Sequence, residues 1–221
     1  MKKFVPISPN TINRMPKYLR CLHTMKNCGL ERTSSAQIAQ ILGSTPSQVR
    51  QDLSAFGSFG SQGYGYNIKH LIQEIHRILG LTRNHTIAVI GVGGIGHALL
   101  EHMDFEEYNY NVCAAFDVSP ELVGTLVNGI EIHHINEFSE IAKQENIDIC
   151  MLTVPKNSAK EVAEKIRLAG VPAIWNFTNE DLGCDDHMVV QNVNFLDSLF
   201  ALTFYLENTC PSIKNRQSIA I

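Results

Sequence analysis

The segment Thr86–Asp117 constrains the fold of this chain more than any other. It begins with a short apolar run rich in β-branched residues, which predicts a buried parallel strand. The run ends in Gly-x-Gly-x-x-Gly, and a helical pattern follows. A second apolar run, Val112–Phe116, stops at Asp117, 21 residues beyond Gly96. A strand, a glycine turn, a helix N-terminus and an acid in this order predict a dinucleotide-binding unit. We expect NAD(H) to contact Gly91, Val92, Gly93, Gly94, Ile95, Gly96 and Asp117.

The charge of the chain is unevenly distributed. The net charge of the 221 residues is −4, but residues 1–80 carry +7 and the remainder carries −11. A basic segment attached to an acidic body indicates a module that binds a polyanion, joined to something else.

Other compositional features exclude several classes of protein. No apolar run reaches the roughly 18 residues of a membrane span, and the N-terminus has no signal-peptide core, so we expect a soluble, cytoplasmic protein without a membrane partner. The six cysteines form no CxxC pair and no zinc spacing, which indicates reduced thiols. The adjacent His133 and His134 are predicted to lie in a loop, and we expect no metal site.

The basic segment has the pattern of a helix-turn-helix. Apolar residues at spacings of three and four predict a first helix over residues 11–28. Ser34 and Gln37 form the pattern of a capping box for a second helix, which ends at Gly43. Thr45-Pro46-Ser47-Gln48 predicts another capping box and the start of a third helix. Two short helices joined by such a turn are typical of DNA-binding proteins.

The third helix and the stretch that follows it are candidates for contact with DNA. The plain alternative for the helices is a three-helix bundle with a polar outer face. Gly57–Tyr66 contains four glycines between aromatic and small polar residues, which predicts a tight hairpin, or wing. A phosphate-cradling loop is the competing interpretation, but no lysine and no preceding strand support it. The predicted DNA contacts are Ser47, Gln48, Arg50, Gln51, Ser54, Gln62, Gly63, Tyr64 and Tyr66.

The remainder of the chain alternates between strand and helix patterns. This alternation predicts a doubly wound parallel sheet, whose ligands lie at the carboxyl ends of the strands. Strands are predicted over 147–154 and 171–177, and helices over 67–79, 137–143 and 158–169. Residues at two of the strand ends are therefore expected near the nicotinamide half of the cofactor: Thr153, Val154, Pro155, Asn176 and Phe177.

The last predicted helix, 195–207, has apolar residues around nearly its whole circumference. One small α/β unit can cover only part of it, so we infer a homodimer in which this helix packs against the partner or is swapped into it; burial within one chain is the alternative. The predicted organisation is a winged-helix domain at 1–80, a Rossmann domain at 81–192, and a dimerisation helix with a disordered tail at 193–221.

These features together resemble the family of redox-sensing transcriptional repressors called Rex. The resemblance extends from about residue 11 to 207 and depends on the order and number of its motifs: Pro16–Arg20, Ser34–Ala39, Gln48–Ser54, Phe56–Gly60, Gly63–Tyr66, Ile78–Leu81, Phe116–Asp117, Leu152–Pro155, Ile174–Phe177 and Asn192–Phe195. It implies a homodimer that binds palindromic operator DNA through its winged helix and releases it when NADH binds. It also implies a cofactor contact at Phe195 and a redox switch at Arg20, His102 and Asn194.

The chain departs from the family pattern at five positions. The glycine loop of the family often has Asn or Arg where this chain has Gly94. Gln51 stands where the recognition helix usually has a lysine, and Gln62 where the wing usually has a basic residue. His102 replaces a tyrosine, and Asn194 replaces an aspartate that would give Arg20 a charged partner. We hypothesise weaker or altered DNA binding, and a switch that works through a neutral hydrogen bond.

Three other functions are alternatives to a redox-sensing repressor. A dehydrogenase would need a general base near the nicotinamide, and the predicted strand ends offer none. A paralogue that binds NAD(H) but represses weakly is kept open by Gln51 and Gln62. A unit that binds coenzyme A is disfavoured by Asp117. The sequence therefore predicts a sensor and not an enzyme.

Overall fold

The chain consists of two compact units, Met1–Arg83 and Asn84–Ile221. A computed structural model describes residues 7–57, 59–61, 64–183 and 188–209. Of the predicted DNA contacts, Gln62 and Gly63 lie outside the described residues, as does the tail predicted to be disordered.

The described part of the first unit contains four helices and a small sheet, in which β3 lies between β1 and β2. Its elements are α1 (Pro9–Asn27), β1 (Arg32–Thr33), α2 (Ser35–Leu42), α3 (Pro46–Ser54), β2 (Gly60–Ser61), β3 (Gly65–Asn67) and α4 (Ile68–Ile78). This is the predicted helix-turn-helix followed by a hairpin, so the prediction of a winged helix is confirmed. The sequence did not predict β1, which extends the hairpin by pairing with β3.

The helix ends follow the predicted caps with one exception. The Ser34 hydroxyl and the Gln37 side chain form the reciprocal capping box of α2, and Gly43 ends that helix with a φ of 62°. Thr45 accepts a hydrogen bond from the backbone N–H of Gln48 at the start of α3. The prediction of a complete capping box at this helix is wrong, because the Gln48 side chain does not return to Thr45 and donates to Asp52.

The second unit contains a twisted sheet of seven described strands in the order β10-β9-β8-β4-β5-β7-β6. All neighbouring pairs are parallel except β6 with β7. Its elements are β4 (His85–Ile90), α5 (Gly94–His102), β5 (Tyr110–Asp117), β6 (Leu126–Val127), β7 (Ile130–His134), α6 (Phe138–Gln144), β8 (Ile149–Leu152), α7 (Ala159–Leu168), β9 (Ala173–Asn176), β10 (Val189–Asn192) and α8 (Phe195–Thr209), with 3-10 turns at Glu106–Tyr108, Ile135–Glu137 and Lys156–Ser158.

Both faces of this sheet are covered, as a doubly wound fold requires. On β4, Ala88 and Ile90 belong to a core that includes residues of α6 and α7. Ile87 and Val89 point to the other face, where Leu100 of α5 packs. The prediction of a Rossmann-type sheet is confirmed. β6, β7 and β10 were not predicted, and His133 and His134 lie in β7 and not in a loop.

The helix α8 exposes its apolar side chains in the single chain. Between 41% and 63% of the surface of each is accessible: Phe195, Leu196, Leu199, Phe200, Leu202, Phe204, Tyr205 and Leu206. Burial within the same chain, the alternative left open by the sequence, is therefore not observed. Among the described helices, none has both the length and the apolar character needed to cross a membrane.

Candidate functional site

The glycine loop between β4 and α5 contains two kinds of glycine. Gly91 has a φ of 93°, and a Cβ there would lie 2.8 Å from the Val154 nitrogen. A Cβ on Gly96 would lie only 2.0 Å from the Gly91 oxygen. These two glycines therefore allow the turn, the helix and the end of β8 to pack closely.

Gly93 and Gly94 have a different environment, because a Cβ on either would meet no atom within 4 Å. Gly93 is the N-cap of α5 and has no side chain that could cap the helix. Val92 and Ile95 complete the loop; Val92 is buried and Ile95 is 40% exposed. The start of α5 thus has room beside Gly93 and Gly94, as a pyrophosphate bound at a helix N-terminus requires. The residues present fit that group.

Asp117, at the end of β5, is held by backbone N–H groups alone. One carboxylate oxygen accepts from Val118 at 2.7 Å and from Ser119 at 2.8 Å. The other accepts from Val92 at 2.7 Å, so the acid ties the glycine loop to its neighbouring strand. Because a carboxylate oxygen can accept two hydrogen bonds, this second oxygen keeps one position for a ribose hydroxyl.

A cavity of about 110 Å³ lies beside Asp117 at the carboxyl edge of the sheet. Its walls are mostly apolar and include Ile135, Val154 and Pro155. Asp117 is the only ionisable residue among the described residues that line it. Val154 and Pro155, which were predicted near the nicotinamide, line the same cavity as Asp117, which was predicted to bind the adenosine ribose. The cavity offers no second ionisable group to serve as a general acid or base.

The remaining strand-end residues make contacts within the unit. The Thr153 hydroxyl donates to the Gly91 carbonyl at 2.6 Å and so holds the glycine turn against β8. The Asn176 side chain is buried, donates to Asn192 at 2.8 Å and accepts from Thr178 at 2.7 Å. These side chains fix the sheet edge on which a ligand would rest.

An aromatic row lies at the end of β9. The rings of Trp175 and Phe177 are 4.7 Å apart between centroids, and those of Phe177 and Phe195 are 6.3 Å apart. Phe177 is buried, whereas Phe195, the first residue of α8, is 55% exposed. The two predicted cofactor contacts Phe177 and Phe195 are thus neighbours, and they connect the sheet edge to α8.

A buried carboxylate organises the first unit. Asp52 of α3 is 1% exposed and receives two hydrogen bonds from Arg14, at 2.6 and 2.7 Å, and one from the Tyr18 hydroxyl at 2.5 Å. Gln48 donates to it at 2.9 Å, and Thr11 donates at 3.3 Å. This network fixes α3 to α1.

The network also sets the ionisation of its members. Burial alone would raise the pKa of Asp52, but the hydrogen bonds from Arg14, Tyr18 and Gln48 outweigh burial and lower it. Burial, together with the hydrogen bond to Asp52, raises the pKa of Tyr18. The sequence contained a signal for this cluster that was missed: Asp52 lies three residues after Val49 and four before Phe56, on the apolar face of α3.

The predicted DNA contacts of α3 divide into two groups. Ser47, Arg50, Gln51 and Ser54 are exposed. Gln48 is half-buried, and its amide is engaged by Asp52, so it is turned toward the core. The Arg50 guanidinium donates to the Ser35 hydroxyl at 3.1 Å, which joins α3 to the start of α2.

At the wing, Tyr64 is 71% exposed and Tyr66 is half-buried. Burial raises the pKa of Tyr66, and the nearby charge of Arg50 opposes that shift. Arg32 of β1, which the sequence did not single out, donates to the Tyr64 carbonyl at 3.0 Å and lies 4.3 Å from the centre of the Tyr64 ring.

Of the three predicted switch residues, Arg20 lies in the first unit, and His102 and Asn194 lie in the second. Arg20 is exposed on α1. The His102 side chain is 71% exposed at the end of α5, 3.6 Å from the Glu101 carboxylate. The Asn194 side chain accepts the backbone N–H of Leu196 at 3.0 Å and so caps α8. Their contact with one another stays a prediction. Within the described parts of the chain, no three or more His, Cys, Asp or Glu residues form a group that could hold a metal ion.

Comparison with protein families matches each unit separately. Residues 6–54 match the model of a putative DNA-binding protein N-terminus, and residues 82–180 match that of a CoA-binding domain. Curated relatives match nearly the whole chain. The redox-sensing transcriptional repressor Rex of Clostridium beijerinckii is 40% identical over 95% of this chain and 99% of its own length. That of Clostridioides difficile is 38% identical over 91% of this chain and 96% of its own.

Solved structures show the same similarity. The crystal structure of RSP in complex with β-NAD⁺ and operator DNA superposes on this chain with a TM-score of 0.87 and a sequence identity of 34%. The match covers 98% of this chain and 100% of that chain. The complex of RSP with β-NADH is 33% identical, with a TM-score of 0.85 over 92% of this chain and 95% of that chain. RSP is described as a Rex-family repressor. The resemblance found in the sequence is thereby confirmed.

Proposed function

This chain belongs to the Rex family of redox-sensing transcriptional repressors, and we propose that it represses transcription by binding operator DNA and releases that DNA when NADH binds. The observation that carries the proposal is the presence, in one chain, of a winged helix and of a glycine loop with open space at Gly93 and Gly94. The relatives support it, since RSP is described with NAD⁺, with NADH and with operator DNA.

The ligand of the second unit is NAD(H) in this proposal. Asp117 accepts three backbone N–H groups and keeps one position on the oxygen nearer the glycine loop, which suits a ribose hydroxyl. A 2′-phosphate at that point would bring negative charge against the carboxylate, so NADPH should bind more weakly. The match to a CoA-binding model makes coenzyme A the second ligand to test. We assign no catalytic reaction to the chain.

The functional form in this proposal is a homodimer that acts in the cytoplasm. Eight large apolar residues exposed along α8 form a contiguous surface of the kind that a protein interface covers. A second copy of α8, packed or swapped, would cover it. A dimer that reads a palindrome needs recognition helices about 34–36 Å apart or a multiple of this distance. Closure of the Rossmann units on NADH would change that spacing, with Arg20, His102 and Asn194 transmitting the change.

The proposal is tested with the full chain and a DNA duplex. Palindromic duplexes are first selected from a randomised pool at low salt, and the bound duplex is followed by fluorescence anisotropy. NADH, NAD⁺, NADPH and coenzyme A are then titrated into the complex. We expect release at a lower concentration of NADH than of NAD⁺, and no release by coenzyme A.

Three outcomes would contradict separate parts of the proposal. Failure to select any duplex at low salt would exclude the DNA-binding function. Equal release by NADH and NAD⁺ would exclude redox sensing. Release by NADPH as easily as by NADH would exclude the selectivity given to Asp117, and release by coenzyme A would reassign the ligand.

A further inference from the structure

Arg32 lies at the base of the wing and is fixed there by three contacts. Its Nε donates to the Tyr64 carbonyl at 3.0 Å, and its Nη2 is 3.5 Å from the Gly65 carbonyl. Its guanidinium lies over the Tyr64 ring, 4.3 Å from the ring centre, in the range of a cation–π contact. The side chain remains exposed to solvent.

Among the described residues, none provides a carboxylate partner for the positive charge of Arg32. Arg14, Arg77 and Arg167 each form an ion pair with an Asp or Glu. Within the part of the chain that the structure describes, Arg32 forms no ion pair, and its contacts are neutral carbonyls and a ring. It is therefore an oriented, uncompensated cation with N–H groups still available, which is what a phosphate group binds.

Arg32 also lies next to the residues predicted to read DNA. β1 pairs with β3, with Thr33 opposite Tyr66, and it leads within two residues to Ser35, which accepts a hydrogen bond from Arg50 of the recognition helix. A Cβ on Gly65 would be 2.4 Å from the Thr33 oxygen, so β1 and β3 are in close contact. The position of Arg32 relative to α3 is thus set by the chain itself.

We propose that Arg32 binds a phosphate of the operator backbone, and that the Tyr64 ring holds its guanidinium in place for that contact. This inference rests on the DNA binding proposed above and adds a phosphate contact from β1, outside the recognition helix and the wing hairpin. Phosphate contacts position a protein on DNA without reading its sequence.

The test is the salt dependence of DNA affinity in the full chain, measured by anisotropy between about 50 and 200 mM salt. Arg32→Gln removes the charge, and Arg32→Lys keeps it. Arg77→Gln is the matched control, because it removes one exposed arginine charge from α4, where Arg77 pairs with Glu74. Cooperative thermal unfolding checks that each variant is folded.

We expect Arg32→Gln to weaken DNA binding by about 3- to 10-fold and to reduce the slope of log K against log salt by about 0.9 for each Arg32 in the complex. Arg32→Lys should keep the wild-type slope with a smaller loss of affinity, and Arg77→Gln should change neither quantity. A wild-type slope in Arg32→Gln would overturn the proposal, as would an Arg32→Lys slope as low as that of Arg32→Gln. Wild-type binding to the duplex, measured in the same series, tests the DNA-binding function separately.

Two variants of Tyr64 test the role of its ring. Tyr64→Leu removes the stacked ring and should bind DNA about 3-fold more weakly than Tyr64→Phe, which keeps the ring. Equal losses in both variants would show that the hydroxyl contacts DNA directly, and the positioning role would then be wrong.

Discussion

Two aspartates, one in each unit, are held in opposite ways. Asp52 is enclosed by side chains from α1 and α3, including a cation, and its carboxylate receives five hydrogen bonds from Thr11, Arg14, Tyr18 and Gln48. Asp117 is held by backbone N–H groups alone and keeps an acceptor position beside a cavity. The first carboxylate is satisfied by its own unit, whereas the second is arranged for a partner that the chain does not supply.

The same difference extends to the units as wholes. In the first unit, a core of buried residues and a charged network fix the recognition helix without outside help. The second unit leaves open space at Gly93 and Gly94 and an exposed apolar α8. In the function proposed above, the first unit therefore presents a preformed recognition helix to DNA, and the second unit is completed by a ligand and by a second copy.

The largest effect is expected at α8. Phe200→Asp places a charge on the apolar surface that a second copy would cover, and should raise the dissociation constant of the dimer more than about 1,000-fold because a buried, unpaired charge is costly. Sedimentation equilibrium measures this, with Glu207→Gln on the same helix as the control. A Phe200→Asp protein that remains dimeric would remove α8 from the interface.

The next effect tests whether the first unit depends on its carboxylate. Asp52→Ala leaves the buried Tyr18 and the half-buried Arg14 without their partner, and should lower the free energy of unfolding by about 3–5 kcal/mol. Urea denaturation measures the loss. Glu164→Gln breaks an exposed pair with Arg167, which solvent screens, and should lower the free energy of unfolding far less. Equal costs in the two variants would show that the Asp52 network does not stabilise the fold.

Acid should reproduce part of the effect of Asp52→Ala. The pKa of Asp52 is lowered in the folded state, so its stabilisation is fully present above the unfolded pKa of about 3.9 and is lost as the pH falls through the folded value. Stability of the wild type should therefore fall more steeply below about pH 4 than that of Asp52→Asn. Parallel curves in urea titrations at each pH would contradict this assignment.

The glycines of the loop should separate folding from ligand binding. Gly93→Val fills space that no protein atom occupies, so it should leave the thermal stability unchanged and weaken NADH binding by about 100-fold. Gly96→Ala should instead destabilise the fold, because its Cβ would clash with the Gly91 oxygen. Calorimetry of both variants measures the two quantities. Normal NADH affinity in Gly93→Val would exclude this loop as the pyrophosphate site.

The smallest effect concerns two stacked histidines in the first unit. The rings of His23 and His76 are 5.9 Å apart, and neither buried Nε2 atom has a hydrogen-bond partner. Burial, and then the neighbouring His23, lower the pKa of His76. The folded state therefore favours neutral His76. The stability that goes with the neutral ring is fully present above the unfolded pKa of about 6.5 and is lost as the pH falls through the folded pKa. The free energy of unfolding of His76→Leu should fall less than that of the wild type between about pH 7 and pH 5, as measured by urea denaturation at each pH. An equal fall in both proteins would show that His76 does not cause it.

Much of the fold follows from local signals in the sequence. The capping box at Ser34, the left-handed Gly43 and the glycine loop are set by residues close together in the chain, and each was predicted correctly. The strands β1, β6 and β10 were missed because they are two to four residues long and are defined by pairing with strands elsewhere in the chain. Short pairing segments carry little periodicity of their own.

The candidate sites were less predictable from the sequence than the fold. The positions of the cofactor loop and of the recognition helix followed from motifs, but the partners of their side chains did not. Gln48 is turned inward by Asp52, and Arg32 is brought to the wing by strand pairing that joins distant segments. Such contacts arise only when the tertiary structure forms, so the pattern that assigned Gln48 to DNA could not have shown that its amide donates to Asp52.

The most direct test of the account is the affinity of NADH with and without the operator. If the two units are coupled, the factor by which NADH weakens DNA binding must equal the factor by which the operator weakens NADH binding. We predict that a saturating operator duplex raises the dissociation constant of NADH at least about 5-fold, measured by nicotinamide fluorescence. An NADH dissociation constant unchanged by the operator would contradict the claim that the site at Gly93 and Asp117 controls DNA binding.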